Sequence, residues 1–121
     1  MPYFTLIYSR FPAGCKGFLN GIAMKTPNGN YIVWIDTDKD EATQAFTLRH
    51  ELAHLFFKHL EQGEANTEEE YQEREREADK YAERITPEEL NYLLSFCTGT
   101  KTINDADITA FDLDYAQGKA G

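Results

Sequence analysis

The pentapeptide His50-Glu51-Leu52-Ala53-His54 combines residue types and spacing that can do chemistry. Residues four apart on a helix project from one face. His50 and His54 can therefore offer two imidazole nitrogens to one metal ion, with Glu51 beside them. This is the HExxH arrangement: two zinc ligands and a carboxylate able to take a proton from a metal-activated water. Leu52, Ala53, Leu55 and Phe56 surround the pair, and two imidazoles buried there without partners would be costly.

A catalytic zinc needs a third protein ligand and one open position. The chain has three histidines, so His59 is the first candidate. A third His six residues after the second, past a helix-breaking Gly, would complete a three-histidine site. Here Leu60 holds that place and Phe57 replaces the Gly. On a continuous helix of about 3.6 residues per turn, five residues turn His59 about 140° from His54. It then reads as a surface His near the negative end of the helix dipole.

A carboxylate on the next helix is the better third ligand. Tyr71, Ala78, Ala82 and Ile85 share one side of that helix, and Glu75 lies within this apolar stripe while Glu73 and Glu77 point away. An unpaired carboxylate on an apolar face is expensive, and a metal removes the expense. Asp79, one turn after Glu75, can accept a hydrogen bond from the non-ligating nitrogen of His50 or His54 and fix its tautomer.

These side chains need a scaffold. Tyr3 to Arg10 reads as a strand ending at a Phe11-Pro12-Ala13-Gly14 turn, and Gly17 to Lys25 as a weaker one. Asn28-Gly29 then marks a hairpin, since both residues accept positive φ, and Tyr31 to Ile35 follows as a third strand. Three strands in meander order are predicted. Tyr31–Ile35 immediately precedes the active helix, and its open edge could pair with an extended peptide.

The remainder reads as helix. Asp40 caps a helix from Glu41 whose apolar residues, Ala42 to Leu60, cover a broad arc, with Gly63 as its stop. Trp34 and Phe56 read as core. Thr67 with Glu70 opens a second helix as a capping box, running to about Arg84. Thr86-Pro87-Glu88-Glu89 opens a third, reaching about Cys97 and ended by Gly99. The acidic stretch from Thr102 to Gly121 reads as a tail with a short helix near Asp105 to Tyr115.

The whole is an α+β fold in one domain of 121 residues, a length that suits a single core. A formal net charge of −9 argues against a nucleic-acid-binding face and against docking on anionic membranes. Most of it sits between Glu61 and Asp79, where nine acids face Arg74 and Arg76. Such a run is ordinarily a solvated helix face, and Glu75 is its exception. Cys15 and Cys97 lie far apart and form no CxxC, which reads as two reduced thiols. With no signal-peptide pattern and no apolar run of about 18–20 residues, the expected location is the cytoplasm.

His50-Glu51-Leu52-Ala53-His54, followed by Glu75-Arg76-Glu77-Ala78-Asp79-Lys80-Tyr81-Ala82, resembles the ImmA/IrrE family of small metallopeptidases. That family pairs HExxH with a downstream E-x-x-A-[ND]-x-[FY]-A segment. The resemblance covers roughly Tyr31 to Ile85. It implies a minimal zincin, a small sheet packed on the active-site helix. It also implies His50, His54 and Glu75 as zinc ligands, and Glu51 as the base. The implied substrate is a protein, of the kind of a helix-turn-helix repressor or related regulator. Tyr71, Tyr81, Tyr3 and Tyr31 remain equal candidates for stabilising the oxyanion of peptide hydrolysis.

Two other readings compete. One is a non-catalytic zincin-like zinc-binding module that regulates a partner by binding it. The other is an amide hydrolase of the deformylase type, which needs a Cys ligand that the surroundings of Cys15 do not supply.

Overall fold

The computed structural model describes residues 1–11, 20–62 and 65–102. Among these residues are four strands and three helices: β1 (Phe4–Ser9), β2 (Gly21–Lys25), β3 (Tyr31–Asp36), α1 (Glu41–Phe56), α2 (Glu68–Arg84), α3 (Pro87–Leu94) and β4 (Cys97–Thr102). A short 3-10 turn, His59–Glu61, follows α1.

The sheet corrects two expectations. It has four strands instead of three, and their order is β2-β3-β1-β4, so the first three do not form a meander. β1 runs parallel to both β3 and β4, and only β2 and β3 form an antiparallel hairpin. The physical reason lies in burial. Phe4 and Leu6 of β1, and Val33 and Ile35 of β3, pack with Leu52, Leu55 and Leu93 under the helices. Ile22, Met24 and Trp34 pack with Phe11 on the opposite face, partly covered by Ile7 and Ile32. Strands apolar on both faces belong at the centre of a sheet, and β1 and β3 take that place. β3 thus has neighbours on both sides and no open edge for a peptide. The edge strand beside α1 is β2, which pairs only with β3 among the described residues.

β4 occupies the span where the third helix was expected to end. α3 stops at Leu94, and Cys97–Thr102 turns back beside β1. The Thr98 hydroxyl donates to the Phe4 carbonyl at 3.1 Å, an anchor between residues at opposite ends of the described chain.

The turns and caps follow local chemistry. Gly29 takes φ +87° in the β2–β3 turn, while Asn28 keeps a negative φ. Thr67 and Thr86 each accept the backbone N–H three residues on. At α2, Glu70 reaches the Asn66 N–H instead of closing the box on Thr67. Asp40 occupies the N-cap of α1 but makes no side-chain cap bond. Trp34 is core, as expected, whereas Phe56 is 41% exposed and stacks on Tyr81. Cys97 is a free thiol; Cys15, Gly63 and the Asp105–Tyr115 helix lie outside the described residues. No helix among the described residues is long and apolar enough to cross a membrane.

Candidate metal centre

α1 lies across the sheet with its middle turns buried: Thr47, Glu51, Leu52, Ala53, His54 and Leu55 are all inside. α2 packs against α1 through the small side chains Ala78 and Ala82, which are buried on the stripe seen in the sequence. Small residues at a helix contact let the axes approach closely, so the longer side chains on either side meet. His50, His54 and Glu75 converge there. His50 Nε2 lies 2.8 Å from Glu75 Oε2 and 3.1 Å from His54 Nε2. His54 Nε2 lies 3.6 Å from the same Glu75 oxygen.

These three separations test the fit of a cation. Zinc bonds of about 2.0–2.1 Å at tetrahedral angles put neighbouring ligand atoms about 3.3 Å apart. The triangle of 2.8, 3.1 and 3.6 Å brackets that spacing. A looser trio, His50, Glu51 and His54, has ligand atoms within 4.8 Å of one another. The tighter set matches a tetrahedral edge better, and it leaves Glu51 free. The residues present therefore fit a zinc-sized cation with two nitrogens and one oxygen.

Glu51 is 3% exposed. The Ala23 backbone N–H donates to its carboxylate, while Oε1 is buried with no hydrogen-bond partner among the described residues. Burial pushes this acid up to about 7, against the lowering influence of His54 and His50. His50 behaves oppositely. Burial disfavours its charge, but the hydrogen bond to Glu75 and the charges of Glu51, Glu75 and Asp79 hold it at about 9. Glu75 also resists burial. Its bonds to both histidines keep it well below the usual carboxylate range. In the metal-free molecule a proton on His50 thus occupies the place where positive charge is demanded, and a metal would displace it.

The other expected residues are distributed unequally. Asp79 Oδ1 meets His50 Nδ1 at 2.7 Å, and so partners His50 and not His54. Among the four tyrosines, Tyr71 hydrogen-bonds Glu75, and burial with that nearby charge raises its pKa. Tyr31 instead bonds Glu61, Tyr81 stacks on Phe56, and Tyr3 packs against Phe96.

His59 departs most from expectation. It is 5% exposed, not a surface residue. The helix does not continue through it: α1 ends at Phe56, Lys58 adopts φ 60° and ψ 33°, and the chain folds back. His59 Nδ1 then reaches His54 Nδ1 at 2.8 Å, and its Nε2 meets Glu77 Oε1 at 2.6 Å. Burial lowers the pKa of this imidazole against the opposing pull of Glu77. The sequence contained no αL signal at Lys58, because Lys rarely takes that conformation; the hint available was the third His itself.

An α+β domain whose His50, Glu51 and His54 cluster is compatible with metal binding has the make-up of a metallopeptidase domain. The family model described as the IrrE N-terminal-like domain, Peptidase_M78, matches residues 18–90, more than half of the 121-residue chain, and the chain belongs to that family. No curated protein and no solved structure matches it significantly.

Proposed function

We propose that this protein is a zinc-dependent endopeptidase of zincin type, with His50, His54 and Glu75 holding the metal and Glu51 acting as general base. The observation that carries the reading is the unsatisfied, buried Oε1 of Glu51 next to a donor triangle of zinc dimensions. Leaving a carboxylate oxygen buried without a partner costs stability, and a water to be deprotonated would be its natural partner. When bound, zinc acidifies water and polarises a carbonyl. Glu51, raised to about 7 without the metal, takes the proton and returns it to the departing amine. Proton transfer by such a group contributes roughly 10²–10⁴ in rate. Asp79 holds His50 with Nδ1 protonated, so that Nε2 offers its lone pair. Tyr71, already in reach of Glu75, supplies the hydroxyl for the developing oxyanion.

A protein substrate would be bound as an extended chain along β2, whose Ala23 amide touches Glu51. A repressor or similar regulator is the proposed substrate, on the strength of the family resemblance.

Two substitutions test the reading. Glu51→Gln is expected to keep zinc, measured by metal analysis, and to lose at least a hundredfold in cleavage of a co-purified regulator. Glu75→Ala is expected to release the metal. Zinc retained in Glu75→Ala would overturn the ligand set. A full biological effect surviving Glu51→Gln would replace the enzyme with the partner-binding module.

A further inference from the structure

His59 and Glu77 lie outside the donor triangle, yet both are joined to it by short hydrogen bonds. The chain of contacts runs from His54 Nδ1 to His59 Nδ1 at 2.8 Å, and from His59 Nε2 to Glu77 Oε1 at 2.6 Å. Its direction follows from the chemistry of the last member. An ionised carboxylate only accepts hydrogen bonds, so His59 Nε2 carries a proton and donates it to Glu77. A neutral His59 then has a lone pair on Nδ1, which accepts from His54 Nδ1–H. That leaves the His54 lone pair on Nε2, the atom that faces His50 and Glu75.

We propose that His59 and Glu77 are positioning residues that lock His54 in the Nδ1–H tautomer and aim its Nε2 at the metal. His50 receives the same service directly from Asp79 at 2.7 Å. His54 lies deeper, at 3% exposure, and no carboxylate is in direct contact with its Nδ1 among the described residues. The left-handed turn at Lys58 brings His59 beneath it, and the imidazole carries the hydrogen-bond order outward to the half-exposed Glu77. Glu75 and Glu77, two residues apart on α2, therefore act on the same histidine from opposite ring nitrogens. One meets Nε2 across the metal position, and the other acts on Nδ1 through His59. Outer partners of this kind typically matter 10–100-fold in metal affinity.

The inference rests on His50, His54 and Glu75 being the ligands, so the experiment separates the two. Zinc dissociation constants are measured by competition with a chromophoric chelator for the wild type, His59→Phe, Glu77→Leu, Glu77→Gln and Glu75→Ala. Long-range ¹H–¹⁵N correlation spectra of the zinc-loaded wild type report which nitrogens carry protons. The expected result is a 10–100-fold loss of affinity in His59→Phe and Glu77→Leu, with metal-free melting temperatures near wild type. Glu77→Gln, whose amide oxygen still accepts from His59, should stay within about threefold of wild type. In the spectra His59 should be protonated at Nε2 and His54 at Nδ1. Affinities of His59→Phe and Glu77→Leu within twofold of wild type would overturn the inference, as would a His59 proton on Nδ1. If those affinities hold while Glu75→Ala abolishes binding, the relay alone falls. A wild type that binds no zinc defeats the ligand assignment and the relay together. Should His59→Phe fail to fold, the wild-type spectrum and the Glu77 pair still decide.

Discussion

Glu51 and Tyr71 approach the donor triangle from different helices, and each is incompletely satisfied in its own way. The Glu51 carboxylate spends one bond on Ala23 and leaves Oε1 bare. Tyr71 is tied to Glu75 but partly open to solvent. If its hydroxyl stabilises the oxyanion, Tyr71→Phe should lower kcat by about 10²-fold and leave zinc affinity nearly unchanged. Steady-state kinetics beside a zinc titration separate those quantities, and an unaltered kcat would remove Tyr71 from the mechanism. Glu75 was readable from helix phase because α2 is regular along its whole length. His59 does not follow from that phase, because the helix has already ended before Lys58. Glu77 faces away from the apolar stripe, so helix phase alone gives it no part in the site. It reaches the site only through a residue that the unbroken helix would have placed elsewhere.

The register of α1 against the sheet decides where those side chains point. Gly21 on β2 leaves no room for a side chain: a Cβ there would sit 2.5 Å from Thr47 Cγ2 and 2.9 Å from the Trp34 carbonyl oxygen. Thr47 lies one turn before Glu51 on α1, so any displacement is transmitted to Glu51. Gly21→Ala is expected to destabilise the protein by about 1–3 kcal/mol and to lower activity beyond what unfolding explains. Thermal melts together with cleavage rates at a permissive temperature check both parts, and a melting temperature equal to wild type would show that α1 is free to shift. The helices were legible because their signals are local, namely Thr67 and Thr86 caps, Pro87, and apolar periodicity. β4 was not. Its run of Thr98, Thr100 and Thr102 around Gly99 is almost wholly exposed, so it has no burial alternation, and its partner β1 is nearly the whole described chain away.

Across the whole molecule the acidic balance takes on structure. Three acids of the 61–79 run, Glu75, Asp79 and Glu77, are bound to histidines, whereas Glu68, Glu69, Glu70 and Glu73 are exposed. In the metal-free protein this arrangement has a definite pH signature. Glu51 rises from 4.5 to about 7 on folding, so the stability it contributes is full below about 4.5 and is lost as pH rises through 7. His50 rises from 6.5 to about 9, and its contribution is lost in turn as pH rises through 9. Glu75 is depressed, so its contribution is present above about 4.5 and lost on acidification. The metal-free melting temperature should therefore fall steadily from pH 5 to pH 9, with Glu51 accounting for on the order of 1–3 kcal/mol. Glu51→Gln should flatten the lower half of that decline. Zinc should restore stability most strongly at alkaline pH, where it no longer competes with the His50 proton. A flat wild-type profile between pH 5 and 9 would contradict the raised pKa of both groups.

The HExxH spacing, the apolar stripe that carries Glu75, the three helices and the hairpin were all set by patterns within a few turns of chain. Spacing on a helix, cap chemistry and alternation act over short distances and need no knowledge of what lies opposite. Strand order, the fourth strand, the exposed edge beside α1 and the His54–His59–Glu77 chain required the folded molecule. Each depends on contacts between segments far apart in sequence, or on one backbone turn at Lys58 that no local propensity announces, and such contacts are chosen by burial and close packing of the whole.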